Sequence, residues 1–225
     1  MFITPSPVFD ASVSGGADNL GNLPEWDLND LYQGTDDPKI DQDLAWLESE
    51  CAAFAADYEG KLADLNADDM LTCIQRNEKI STVAGRIMSF AGLRYYQLTT
   101  DGERTKFLSD AQEKITVFTT PLVFFTLELN RLSEEALTAL FDANADLARY
   151  RPAIRRIRAL EPYQLSDELE KFLHDLGAVG DAWEKLFDET IAGLTFDIEG
   201  EDLNIESTLN LLTDQDRSKR DMGAR

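Results

Sequence analysis

The stretch KFLHDLG, residues 171–177, carries the only histidine of the chain, His174, one helical turn after Glu170. Histidine is the side chain most used for proton transfer near neutral pH and the commonest metal ligand, so chemistry is sought here first. A zinc peptidase helix needs two histidines at i and i+4 so that both imidazoles face one metal, with a glutamate between them to polarise the water. His174 has no second histidine to pair with. A metal site built from one histidine and carboxylates competes with solvation, because acidic helix faces mostly stay in water. The expected role of His174 is therefore that of a surface or groove residue pairing with Glu170 across one turn.

The other reactive types fare no better. Cys51 and Cys73 are the only cysteines, with no CxxC and no nearby histidine, so neither zinc nor a redox pair is indicated. Cys51 falls on an apolar stripe and reads as a reduced, buried thiol. The segment RYRPAIRRIR puts Arg151, Arg155 and Arg158 near one helical face, with Arg149 and Arg156 beside it. In a basic protein that cluster would suggest phosphate binding. Here 21 basic residues stand against 43 acidic ones, a formal charge of −22, so internal salt bridges or an interface to another acidic segment are expected instead. Tyr95, Tyr96, Trp26, Trp46 and Trp183 read as core and packing residues. Glycine-rich phosphate loops and a GxSxG elbow are absent. No catalytic, cofactor-binding or metal residue is assigned, and the chain holds no self-sufficient catalytic constellation.

The elements that would carry these residues are helical. Asp37-Pro38 supplies a cap and a first-turn proline, and Ile40, Leu44, Leu47, Cys51, Phe54 and Tyr58 then recur at alternating spacings of four and three. A second helix is expected from Asp68 to about Gln97, with Leu71, Ile74, Val83, Ile87, Phe90 and Tyr95 near one face. TTDG, residues 99–102, makes a turn. A third helix runs from Glu103 towards Leu129 through Phe107, Ala111, Ile115 and Phe118, and Pro121 should bend or interrupt it. VFFTLELNRL, beyond the bend, is apolar enough to be deeply buried. Ser133 caps a short helix with Leu137, Leu140 and Phe141, and Pro152 opens another. Ser166 is expected to cap the helix holding His174 and Gly177 to close it, with a further helix in GDAWEKLFDETIAG.

Residues 194–206, LTFDIEGEDLNIE, change the period from 3.6 to two around Glu199-Gly200, which predicts a β-hairpin. Thr213 and Asp216 have the spacing of a capping box for a new helix. The fold class is thus mainly α: an antiparallel helical domain with one small β-hairpin near 194–206. The expected organisation is a disordered leader over 1–22, rich in Ser, Gly, Pro and Asp, then a helical domain over 23–193. Residues 194–225 would hold the hairpin and the start of a truncated helical region.

Charge and hydropathy bound the partners. A net charge of −22 repels phosphate backbones and anionic headgroups, so neither nucleic acid nor membrane is expected as a partner. The acidity also suits a halophile or a very soluble protein. No basic n-region precedes an apolar h-region at the N-terminus, and no apolar run approaches ~18 residues. A cytoplasmic location is expected.

LPEWDLNDLY with the following DDP and acidic first helix, LSDELEKFLHDLGAVGDAWEKLFDETIAGLTFDIEGEDLNIESTLNLL and DQDRSKR together resemble the N-terminal half of the oligoendopeptidase F family, zinc metallopeptidases related to thimet oligopeptidase. The likeness runs from about Leu23 to Arg225, and Trp183, Phe187, Asp188, Glu189 and Thr190 before the hairpin carry much of it. The resemblance implies a mostly helical protein enclosing a deep cleft that admits short peptides and excludes folded proteins. It also implies a zinc site on an HExxH helix with a downstream glutamate in the C-terminal half. There zinc would activate water, the motif glutamate would take its proton, and hydroxide would attack the scissile carbonyl. No position here matches that motif, so no residue inherits a catalytic or metal role, and zinc is expected in the missing C-terminal half.

The expected function is that of an N-terminal fragment of an oligoendopeptidase F-like zinc metalloendopeptidase, inactive alone, forming part of the cleft. Its expected partners are short peptides in the complete enzyme and the missing catalytic half. Exposed apolar surface should mark where that half packs, with a tendency to self-associate. The alternative is a stand-alone, non-catalytic acidic helical module that binds peptides or a protein. A minimal hydrolase using Asp and Glu carboxylates is a third reading and would need one of them with a strongly raised pKa in a cleft.

Overall fold

The computed structural model describes residues 26–225, and the expected leader lies outside them. Helix α1, Pro38–Tyr58, starts where the sequence indicates: the Asp37 carboxylate accepts from the Lys39 and Gln33 backbone N–H groups. These bonds hold Asp37 below the usual carboxylate range. Helix α2, Ala67–Gln97, is capped by Asn66, and α3, Gly102–Thr119, by Asp101. Each cap satisfies backbone donors that the helix itself leaves unpaired.

The four-and-three spacing of α1 turns Ile40, Leu44, Leu47, Cys51 and Phe54 inward against α2 and α3. On α2 the buried face is Met70, Cys73, Ile74, Ile80, Ile87, Phe90, Ala91 and Tyr95; Leu71 and Val83 lie at its margin. Pro121 does interrupt the third helix. It sits in a 3₁₀ turn, Thr120–Leu122, after which α4, Val123–Arg131, sets off afresh and buries Phe124, Phe125, Leu127 and Leu129. Phe54 lies 5.9 Å, centroid to centroid, from both Phe124 and Phe125, and so joins α1 to the segment beyond the bend. Arg76 covers the rings of Phe54 and Tyr58 while pairing with Glu50 and Asp57 at 2.9 and 2.7 Å. A guanidinium suits this place because its face stacks while its edge donates.

The α1–α2 connection is tied to α4 by Glu128, whose carboxylate accepts from the N–H groups of Gly60 (2.6 Å) and Leu62 (3.2 Å). Gly60 reaches this position with φ +79°, a conformation other residues rarely adopt. At the start of α1, Asp43 accepts from both the Tyr32 hydroxyl and Arg86, linking the entering chain to α1 and α2.

Helix α5, Glu134–Ala143, is capped by Ser133 and buries Leu137 and Phe141. A four-residue helix not read from the sequence, α6, Ala145–Ala148, follows on an Asn144 cap. Helix α7 spans Arg151–Arg158. Then comes one long helix, α8, Asp167–Gly193, where the sequence suggested two. Gly177 does not close it. A C-terminal glycine stops a helix by going left-handed, and among the described residues only Gly60 and Gly200 of the glycines have positive φ. Gly177 and Gly180 stay helical, each costing about 1 kcal/mol relative to alanine. Ser166 stands at the N-cap without a side-chain bond; Glu170 instead reaches back to accept from the Leu165 N–H at 2.8 Å.

The hairpin is present, with β1 at Thr195–Ile198 and β2 at Glu201–Asn204, antiparallel, Phe196 opposite Leu203. Glu199 (φ 57°) and Gly200 (φ 89°) form its two-residue turn, the left-handed pair that matches strand twist. Helices α9, Ile205–Leu211, and α10, Arg217–Gly223, follow. The cap of α10 is Asp216, so that helix begins about one turn after Thr213. Among the described residues no helix is long and apolar enough to cross a membrane.

Burial raises the thiols of Cys51 and Cys73 to about 11 and about 12. A free thiol ionises near about 8.5, so the native state holds these protons more tightly than the unfolded chain. Stability from this source is complete below about pH 8.5 and is lost as pH rises towards 11–12. We expect neither thiol to react with a thiol-specific chromogen at pH 7.5 until urea unfolds the protein, when both react together.

Candidate functional site

His174 lies on α8 but does not meet Glu170, whose carboxylate is engaged at the helix start. Its Nε2 lies 3.2 Å from Thr119 Oγ1 and 3.3 Å from the Thr116 carbonyl oxygen on α3. This corrects the one-turn pairing: the histidine's partners are 55 and 58 residues away in sequence and hold α8 on α3. The arginine cluster is likewise dispersed. Arg158 points inward, donating to the Leu129 and Asn130 carbonyls at 2.8 and 2.9 Å and to Glu134, and so closes the end of α4. Arg151 lies over the Phe141 ring and near Asp142, and Arg149 pairs loosely with Asp146. Arg155 and Arg156 face solvent. No phosphate cradle results.

The histidine bonds belong to a larger pattern. The side of α8 that rests on the domain is polar: Lys185 donates to Ser109 Oγ (3.1 Å) and Gln112 Oε1 (2.6 Å), Asp181 accepts from Gln112, and Asp175 accepts from the Thr120 hydroxyl at 2.6 Å. Asp167 pairs with Arg131 of α4. Partial burial lowers the Lys185 pKa despite Asp181 and Glu189 nearby. Opposite this side, Leu165, just before the helix, and then Leu169, Phe172, Leu176, Val179, Trp183 and Leu186 recur at spacings of four, three, four, three, four and three, and all are exposed. Trp183 is 68% and Phe187 64% exposed. A surface helix normally turns such a stripe to the core; here the stripe faces out.

Three aromatic residues expected in the core are thus outside it. Trp183 lies on the outward stripe, while Trp26 (70%) and Tyr96 (68%) are exposed elsewhere; Tyr95 is buried and Trp46 packs against the core. The stripe was missed because Gly177 was read as a helix end. The unbroken four-and-three repeat across Gly177 and Gly180 was the signal that could have found it.

Between α2, α3 and α8 a cleft of about 260 Å³ is lined by Tyr95, Tyr96, Gln112, Asp181, Lys185 and Asp188, among others. The Tyr95 hydroxyl is buried without a hydrogen-bond partner, and burial, then Asp188 and Glu189, raise its pKa. Among the described residues no three His, Cys, Asp or Glu side chains converge to hold a metal.

The described residues form a mainly helical fold with one two-stranded hairpin. Residues 128–196, from α4 into β1, match the N-terminal family model described as Oligopeptidase F. The fold is similar to that of oligoendopeptidase-F from Enterococcus faecium, with a TM-score of 0.72 and 22% identity over 84% of this chain. At that identity the likeness establishes the fold. The present chain spans 37% of the length of that one. No curated protein matches it.

The outward stripe has a direct consequence for stability. Leu176→Ser and Trp183→Ser alter exposed side chains outside the core cluster, so each should change unfolding free energy by no more than about 0.5 kcal/mol in urea titrations. Leu129→Ala, in the core, should cost about 2–5 kcal/mol in the same measurement.

Proposed function

We propose that this chain is the N-terminal portion of an oligoendopeptidase F-like zinc endopeptidase that cleaves short peptides in the cytoplasm. The observation that carries this reading is the Oligopeptidase F match, which covers α8 and the start of the hairpin. The similar E. faecium fold supports it. In this reading the portion supplies no reacting group. It forms one wall of the cleft and limits substrates to peptides thin enough to enter, while zinc and its HExxH ligands belong to the C-terminal portion. The outward apolar stripe of α8 is the surface that portion covers. A free-standing, non-catalytic binding module is the second reading, and the same exposed stripe favours it.

The test is to read the gene beyond the codon for Arg225 for an in-frame HExxH with a following glutamate, and to assay both forms on a quenched fluorescent octapeptide with zinc. We expect the motif to be present, the 225-residue chain to be inert, and the longer protein to cleave the peptide, spare a folded protein and stop on chelation. Hydrolysis by the short chain alone, or a frame that closes without the motif, would overturn the proposal.

A further inference from the structure

We infer that the outward face of α8 is a docking site for one long α-helix flanked by basic residues. In placing that helix in the C-terminal portion of the same peptidase, the inference rests on the reading above. Three observations carry it. From Leu169 to Leu186 the stripe alternates spacings of three and four, a repeat that a second helix wound against α8 can follow, and Leu173 and Phe187 widen it on one side. On α8 it runs about 25 Å without interruption, a length that a partner helix of similar extent would cover. The charged groups at its borders are of one sign: Glu168 and Asp175, which also accepts from Thr120, lie along one edge, and Glu184 lies beyond Leu173 and Phe187 on the other.

The basic residues of α8 do not offset those borders. Its only two lysines turn towards the domain, Lys171 near Glu59 and Lys185 on Ser109 and Gln112. A second copy of this chain would bring identical acidic borders together, with −22 on each molecule. A partner with Lys or Arg beside its apolar seam meets no such penalty, and opposite charges at these border positions set partner choice in paired helices.

Two 28-residue helical peptides provide the probe. Both carry leucine at seam positions; one has lysine and the other glutamate beside the seam. Binding to the chain is followed by calorimetry at about 0.15 M salt and compared with a Leu176→Ser, Trp183→Ser double variant, which keeps the charge of the chain. Circular dichroism confirms that the variant is folded.

The lysine peptide should bind the unaltered chain at least about tenfold more tightly than the glutamate peptide does, and at least about tenfold more tightly than it binds the variant. Equal binding to chain and variant would mean charge attraction without a seam and would overturn the inference. So would equal affinity of the two peptides, binding of neither, or dimerisation through α8 in sedimentation. The two proposals fail separately: an inert longer protein removes the peptidase and leaves the helix site standing, whereas an active one with indiscriminate peptide binding removes only the helix site.

Discussion

The hydrogen-bonded seating of α8 on α3 and α4 is the constraint from which the rest of the functional surface follows. His174, Asp175, Asp181 and Lys185 meet Thr116, Thr119, Thr120, Gln112 and Ser109, so both sides of the contact are polar and largely satisfied. Each such bond contributes only about 1 kcal/mol net, whereas full burial of a leucine or phenylalanine contributes about 1.5–3 kcal/mol. On that comparison alone the helix would roll over and bury its stripe. Rolling would instead set leucines against hydroxyls, an amide and a guanidinium, each left unsatisfied at about 1–3 kcal/mol, while its own acids and lysines gained only water. The polar bed on α3 and α4 therefore decides which face of α8 is free.

That bed is itself held by the core. Phe54 bridges α1 to Phe124 and Phe125, and Glu128 ties the α1–α2 connection to the same helix, so α4 cannot shift without disturbing both. Pro121 breaks the line between α3 and α4, and the break places Thr119 and Thr120 where α8 passes. Arg158 completes the arrangement by donating to the last carbonyls of α4 from α7. A cluster that looks like an anion site in the sequence is thus dispersed: Arg158, Arg151 and Arg149 turn to the domain's own carbonyls, carboxylates and a ring.

Local signals in the sequence were reliable where one helix could be judged by itself. The Asp37-Pro38 start, the stripe of α1, the break at Pro121 and the Glu199-Gly200 turn are each dictated by neighbouring residues, and each is where the residues put it. Gly177 shows the limit, because the same residue ends a helix when left-handed and merely weakens one when it stays helical. The partners of His174 were illegible for a different reason: Thr116 and Thr119 meet it only through the packing of α3 on α8, which no local pattern encodes. Trp183 reads as core because large aromatics usually are, yet whether an apolar stripe is buried depends on what lies against it. Family resemblance was the longest-range signal available, and it named the fold correctly.

The most direct test is hydroxyl-radical footprinting of α8 at concentrations where sedimentation shows a single monomeric species. If α8 is seated as described, Trp183, Phe172 and Phe187 label heavily while Phe54, Phe90 and Phe124 stay protected. Protection of Trp183 and Phe187 in the monomer would mean that α8 buries its apolar stripe in the domain, and the docking face would not exist.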